Sequence, residues 1–166
     1  MFYNFTFAQD KKESINDAAR ITLVAYVPQQ IDKMPDAARS ILANKLNQIV
    51  TQNGLGGSVN NERFIITANV NVISKNLTPT APSMTAFVLE VTLYIGDGIE
   101  GTKFSSTSIS VKGVGENETK AYISALKRIS PDNGSIQSFV ENGKSKIIQY
   151  YNSKCDAKLR TNYVEK

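Results

Sequence analysis

Asp97 and Glu100 stand three residues apart inside the run Gly96-Asp97-Gly98-Ile99-Glu100-Gly101, where two carboxylates and a flexible backbone come close enough to hold a cation. The run lacks the alternating acids and the distal glutamate of a calcium loop, so it reads as a tight turn with solvated acids. Glu90 and Lys112, expected on adjacent strands, have the types for acid/base work. On an exposed sheet face such residues are more simply a cross-strand ion pair. Tyr150-Tyr151 beside Lys144 and Lys146 has the aromatic and cationic makeup of a single-strand nucleic-acid surface. Helical spacing instead makes these tyrosines the core and rim of the last helix, and nucleic acid is not expected as a partner. The glycine-rich segment from Gly54 to Asn61 lacks the Gly-Lys-Ser/Thr of a phosphate loop and precedes a strand rather than a helix, the wrong context for a phosphate cradle.

The rest of the chemistry is restricted by composition. The 166 residues include no His, no Trp and one Cys. Without imidazole there is no Ser-His-Asp or Cys-His dyad, no histidine metal cluster and no neutral-pH histidine base, which leaves only carboxylate, lysine or tyrosine chemistry. No cofactor and no metal site is expected. Cys155 has no partner for an internal disulfide, and its neighbours Lys154 and Lys158 are the only argument for a reactive thiol against a small helix-side residue. No apolar run approaches the roughly twenty residues of a membrane-spanning helix.

The net charge of +4 is unevenly placed. Residues 144–166 hold Lys144, Lys146, Lys154, Lys158, Arg160 and Lys166 against Asp156 and Glu165, so the preceding body is neutral. A generally basic binding surface is therefore not expected, whereas cations do suit the end of a last helix.

These side chains need elements to position them. Ile21–Val27 is β-branched and stops at Pro28, a first strand. Met34-Pro35-Asp36 opens a helix whose stripe is Ala38, Ile41, Leu42, Leu46, Ile49 and Val50, stopped by Asn53-Gly54. Three long strands follow. Phe64, Ile66, Ala68, Val70 and Val72 alternate with Ile65, Thr67, Asn69 and Asn71, and between Met84 and Ile95 the residues Phe87, Leu89, Val91, Leu93 and Ile95 alternate with Val88, Glu90, Thr92 and Tyr94. Thr102–Val114 places Ile109 and Val111 inward. A helix then starts near Glu116 with the stripe Tyr122, Ala125, Leu126 and Ile129, and Ser135 is expected to cap a last helix with the stripe Ile136, Phe139, Val140, Gly143, Ile147, Tyr150 and Tyr151. The order β-α-β-β-β-α-α implies an α+β layer sandwich: a mostly antiparallel four-stranded sheet with the helices on one face. The expected organisation is an N-terminal arm or signal-peptide stub over 1–19, a single domain over 20–153 and a basic C-terminal tail over 154–166. The arm changes from aromatic to charged at Ala8-Gln9, as the end of a secretory signal does, but lacks the basic start and apolar stretch of a complete one.

The polar sheet face offers the candidate contact residues. Ile65, Val88 and Tyr94 interrupt a surface otherwise of Thr, Asn, Glu, Ser and Lys, and together they would form a modest patch for another subunit. The link Asn76-Leu77-Thr78-Pro79-Thr80-Ala81-Pro82, held open by its prolines, would present Leu77 as a contact loop, and Lys158 and Arg160 would recruit charge at the tail.

The block from Ile109 to Ile129, a strand ending in the pair Gly113 and Gly115 and then an alanine-rich helix, resembles the α/β domain of bacterial envelope assembly proteins. These are the curli-secretion channel lipoproteins, the periplasmic flagellar-ring proteins and the amino-terminal domain of the Tol-system propeller protein, and the likeness covers Ile21 to Ile129. The run from Ile21 to Cys155 also looks like a group of small proteins of Bacteroidales and their phages. Two departures stand out: there is no lipobox cysteine near the start, and no amphipathic strand pair long enough to build a pore. The resemblance implies a non-enzymatic structural or assembly protein, periplasmic or secreted, that forms a homo-oligomer or larger assembly through its sheet face or edge. A phage virion ring or connector component is the first alternative, and a small enzyme using carboxylate or lysine chemistry the second.

Overall fold

The computed structural model describes residues 21–29, 34–57, 63–79 and 81–164, the last ten as helix backbone alone. The arm or signal stub expected over 1–19, and the side chains of Cys155, Lys158 and Arg160, lie outside the described residues. The elements run β1 Val24–Tyr26, α1 Asp36–Gln52, β2 Phe64–Thr78, β3 Met84–Asp97, β4 Lys103–Gly115, α2 Glu118–Lys127 and α3 Gly134–Val164. The sheet order is β1-β2-β3-β4, with β1 parallel to β2 and the other pairs antiparallel. This is the expected α+β sandwich with one covered sheet face.

Alternation places the core. Along β3 every second residue from Thr85 to Asp97 is buried, and along β2 the buried set is Phe64, Ile66, Ala68 and Val70. Helix α1 lays Ala38, Leu42, Leu46, Ile49 and Val50 on this layer. It ends because Gly54, at φ 68°, adopts the left-handed conformation that L side chains avoid. The N–H groups of Gly54 and Leu55 donate to the carbonyls of Thr51 and Val50 at 3.1 and 3.0 Å, closing the helix in a Schellman motif. The Leu55 carbonyl then accepts the Leu23 N–H at 3.0 Å, tying the end of α1 to the entry of β1. That bond also explains why β1 is shorter than the expected Ile21–Val27, since the Leu23 donor is spent on a loop rather than on a ladder.

Helix α2 approaches the sheet far more closely than ordinary side chains allow. A Cβ on Gly113 would lie 2.2 Å from the Ala125 nitrogen and 2.3 Å from the Ala121 oxygen. One on Gly115 would lie 2.4 Å from the Ala121 nitrogen. The strand glycines and the helix alanines therefore meet backbone to backbone, with Asn117 capping α2 through its Oδ1 to the Lys120 N–H at 2.9 Å. On α3, Gly143 makes room for a side chain instead, since a Cβ there would fall 2.7 Å from Ile95 Cδ1.

Several local expectations are corrected. Residues 76–78 belong to β2, with Asn76, Leu77 and Thr78 opposite Ala86, Thr85 and Met84, so the first three residues of the expected contact loop, Leu77 among them, are strand. The alternation simply resumes after a bulge between Val72 and Ser74. Val72 was expected inward but is 40% exposed, because it lies on the helix-side face of β2 where the helical layer no longer covers it. The last helix is capped not by Ser135 but by Asn133, whose Oδ1 accepts the Ser135 N–H at 2.9 Å. Glu90 stands opposite Ser110, and Lys112 opposite Val88, so the two charges are diagonal rather than a direct cross-strand pair.

Replacing Gly113 by Ala forces backbone atoms apart, and we expect a loss of about 3 kcal/mol or more in urea unfolding, at the upper end of over-packing costs. Val114→Ala, between the two glycines on the exposed side, is expected to change stability by less than about 0.5 kcal/mol.

Candidate functional site

Of the two turn carboxylates, Glu100 is exposed as expected, but Asp97 is not a solvated acid. Asp97 ends β3 and is buried. Its Oδ1 accepts the N–H groups of Ile99 and Glu100 at 2.8 and 3.0 Å, which folds the turn, and its Oδ2 accepts Arg63 Nε at 2.8 Å. Gly101, at φ 70°, completes the turn. Glu100 pairs with Arg63 at 3.1 Å and with Lys154 at 2.8 Å, and accepts the Tyr150 hydroxyl. Arg63 also donates to the Tyr150 oxygen at 2.9 Å and lies 5.6 Å from that ring, with Lys154 5.0 Å away on the same ring. Beneath this polar cluster, edge-to-face contacts join Phe64 to Phe104 and to Tyr151, and Phe104 to Tyr150. Each such contact contributes about 0.5–1.5 kcal/mol beyond burial. The result is a clamp holding α3 onto the β3–β4 turn.

Burial would push the Asp97 carboxyl up, but the backbone donors of Glu100 and Ile99 and the Arg63 guanidinium outweigh it and hold it below its ordinary value. Hydrogen bonds from Lys154 and then Tyr150 hold Glu100 low as well. Both acids stay ionised and paired at neutral pH, which is the wrong state for a proton donor and a poor one for a base. Among the described residues, no group of three or more His, Cys, Asp or Glu converges to hold a metal, and no helix is long and apolar enough to cross a membrane. The tyrosines considered for nucleic acid are spent here, Tyr150 in the clamp and Tyr151 against Phe64.

Among the described residues, no helix lies on the opposite sheet face. Register sets its side chains in rows across the strands: Tyr26, Thr67, Tyr94 and Ser106; then Asn69, Thr92 and Ser108; then Asn71, Glu90 and Ser110. The Thr92 and Ser108 hydroxyls hydrogen-bond at 2.8 Å. Ile65 and Tyr94 do come together, and with Thr67, Gly96, Gly98 and Lys103 they line a hollow of about 300 Å³ at the turn end of this face. Val88 does not join them, since its partner is Ser74 and it lies six residues from Tyr94 along β3, or about 20 Å. Leu77 is 71% exposed but sits on the helix-side face of the hairpin, away from Ile65.

Sequence reasoning missed three members of this face. Thr67 lies between two tyrosines, and its Oγ1 is buried with no hydrogen-bond partner among the described residues. Lys103 places its ammonium 5.9 Å from the Tyr94 ring centroid. Tyr26, on the short parallel strand, is 55% exposed. Only the pairing register reveals them, because period two alone does not say which residues stand side by side.

No family model matches the chain, and no curated protein matches it. Solved structures similar to it include bacterial lipoproteins. A minor lipoprotein from Acinetobacter baumannii aligns over 75% of this chain and 94% of its own, at 20% identity and TM-score 0.44. A PelC dodecamer from Paraburkholderia phytofirmans aligns over 75% of this chain and 88% of its own, at 19% identity and TM-score 0.39. At these scores the likeness carries no functional argument.

Two outcomes follow. Because the paired carboxylates have lowered values in the folded state, their contribution is present above the ordinary carboxylate range and is lost as pH falls below about 4. Thermal melts should therefore drop steeply below that pH, whereas Asp97→Asn is less stable at pH 7 and its acid loss is shallower. Thr67→Val removes an unsatisfied buried hydroxyl and is expected to raise stability by about 1 kcal/mol in urea titration.

Proposed function

We propose that this protein is a non-enzymatic assembly module of a bacterial envelope machine, associating with itself and with protein partners through its open sheet face. The observation that carries the reading is the composition of that face. All three helices pack on one side of the sheet, and the other side presents Tyr, Ser, Thr and Asn on rigid strands. Tyrosines give large amphipathic contact area at low entropic cost, and short hydroxyl and amide side chains adapt their hydrogen bonds, the mixture that protein-binding surfaces use. Three long strands spaced about 4.8 Å apart and roughly 12 residues long give about 600 Å², most of the roughly 800 Å² one partner contributes to a standard interface. The envelope setting is supported by the resemblance of the block from Ile109 to Ile129, whose glycine pair and alanine-rich helix make the backbone contact seen between β4 and α2.

Sedimentation equilibrium of the full chain tests the reading. Concentration-dependent species larger than a protomer are expected, and Ser108→Arg, at the centre of the face, should abolish them while leaving circular dichroism unchanged. A strict monomer at several hundred micromolar that also captures no protein partner overturns the proposal.

A further inference from the structure

Tyr26 rises from the open face and is 55% exposed among the described residues. It stands opposite Thr67, and Thr67 opposite Tyr94, so one row reads ring, hydroxyl, ring. With strands about 4.8 Å apart, the Tyr26 backbone lies about 10 Å from that of Tyr94, on the far side of the hollow's floor. Knob and hole thus belong to the same face of the same chain.

The hollow matches a phenol group by group. Ile65 supplies an aliphatic wall and Tyr94 an aromatic one against which a second ring can pack edge to face. Lys103 stands at the rim, where an ammonium favours a further π face. Thr67 holds a hydroxyl with no partner among the described residues, and rotation about its χ1 turns that hydroxyl toward a polar tip entering from above. An isoleucine or leucine would fill the walls but leave Thr67 unpaired.

We propose that the hollow of one protomer receives Tyr26 of a second copy, and the reverse, about a two-fold axis between the two sheet faces. This deepens the assembly reading and rests on it. Because both knob and hole lie on one face, a two-fold arrangement fills both hollows at once and closes, as an isologous interface must. The face carries Glu90 against Lys103 and Lys112, so no strong single-sign field opposes a like face.

The test uses the full chain with Cys155→Ser as background. Tyr26→Glu is expected to weaken dimer formation at least tenfold in sedimentation equilibrium with an unchanged thermal midpoint, and Tyr26→Phe to weaken it less. Separate Tyr26→Cys and Ile65→Cys proteins, mixed and oxidised, should give a mixed disulfide dimer several-fold above that from Tyr26→Cys with Gln137→Cys, which lies on α3. If Ser108→Arg abolishes association but Tyr26→Glu does not, or the 26–65 dimer fails to exceed the control, the insertion is wrong while the assembly reading stands. A face that binds a different protein but not its own copy also overturns the insertion, and a strict monomer with no partner overturns both.

Discussion

The contact on which the rest of the architecture depends is the one between bare backbones, Gly113 and Gly115 of β4 against Ala121 and Ala125 of α2. No side chain separates strand from helix there, so α2 sits lower on the sheet than a helix normally can. That depth lets Tyr122 reach Phe87 on β3 in an edge-to-face contact at 5.7 Å, and it brings Leu126 fully into the core. Helix α1 then packs beside α2, and α3 comes down over β4 and β3 where Gly143 admits Ile95. Small residues let two of the three helices approach this face closely, α2 at Gly113 and Gly115 and α3 at Gly143.

Among the described residues no helix covers the opposite face, and the two faces meet different demands. On the covered side, the clamp of Arg63, Asp97, Glu100, Tyr150 and Lys154 neutralises two acids with two cations and fastens α3 to the sheet. Its groups are paired with one another, and those pairings hold α3 to the β3–β4 turn. On the open side the charges are Glu90, Lys103 and Lys112, and most of the other hydrogen-bonding groups are short and neutral. A surface of this kind sacrifices little on desolvation, since hydroxyls and amides can be re-paired across an interface more readily than isolated charges.

Much of this was legible in the residues. Period-two alternation from Phe64 to Val70 and from Phe87 to Ile95 identifies strands with one buried face, and Asn53-Gly54 marks a helix end by its backbone freedom. The glycine pair before an alanine-rich helix carried a family likeness, whereas its backbone-to-backbone packing is seen only in the structure. What was not legible depended on partners distant in sequence. The burial of Asp97 requires Arg63, 34 positions earlier, to stand beside it, and the strand character of Leu77 requires Thr85 across the hairpin. The neighbourhood of Tyr26, Thr67 and Tyr94 exists only in the register of three strands, one of them parallel and three residues long. Local patterning places residues on a face, whereas register decides their neighbours.

The account stands on the open face being the surface that other chains cover. Chemical footprinting at low and high protein concentration measures this directly, reading tyrosine oxidation and lysine acetylation by mass spectrometry. Protection of Tyr26, Tyr94 and Lys112 at high concentration, with Lys146 on α3 equally reactive throughout, is the predicted result. Protection confined to the helical side, with Tyr26 and Tyr94 unchanged, contradicts the account.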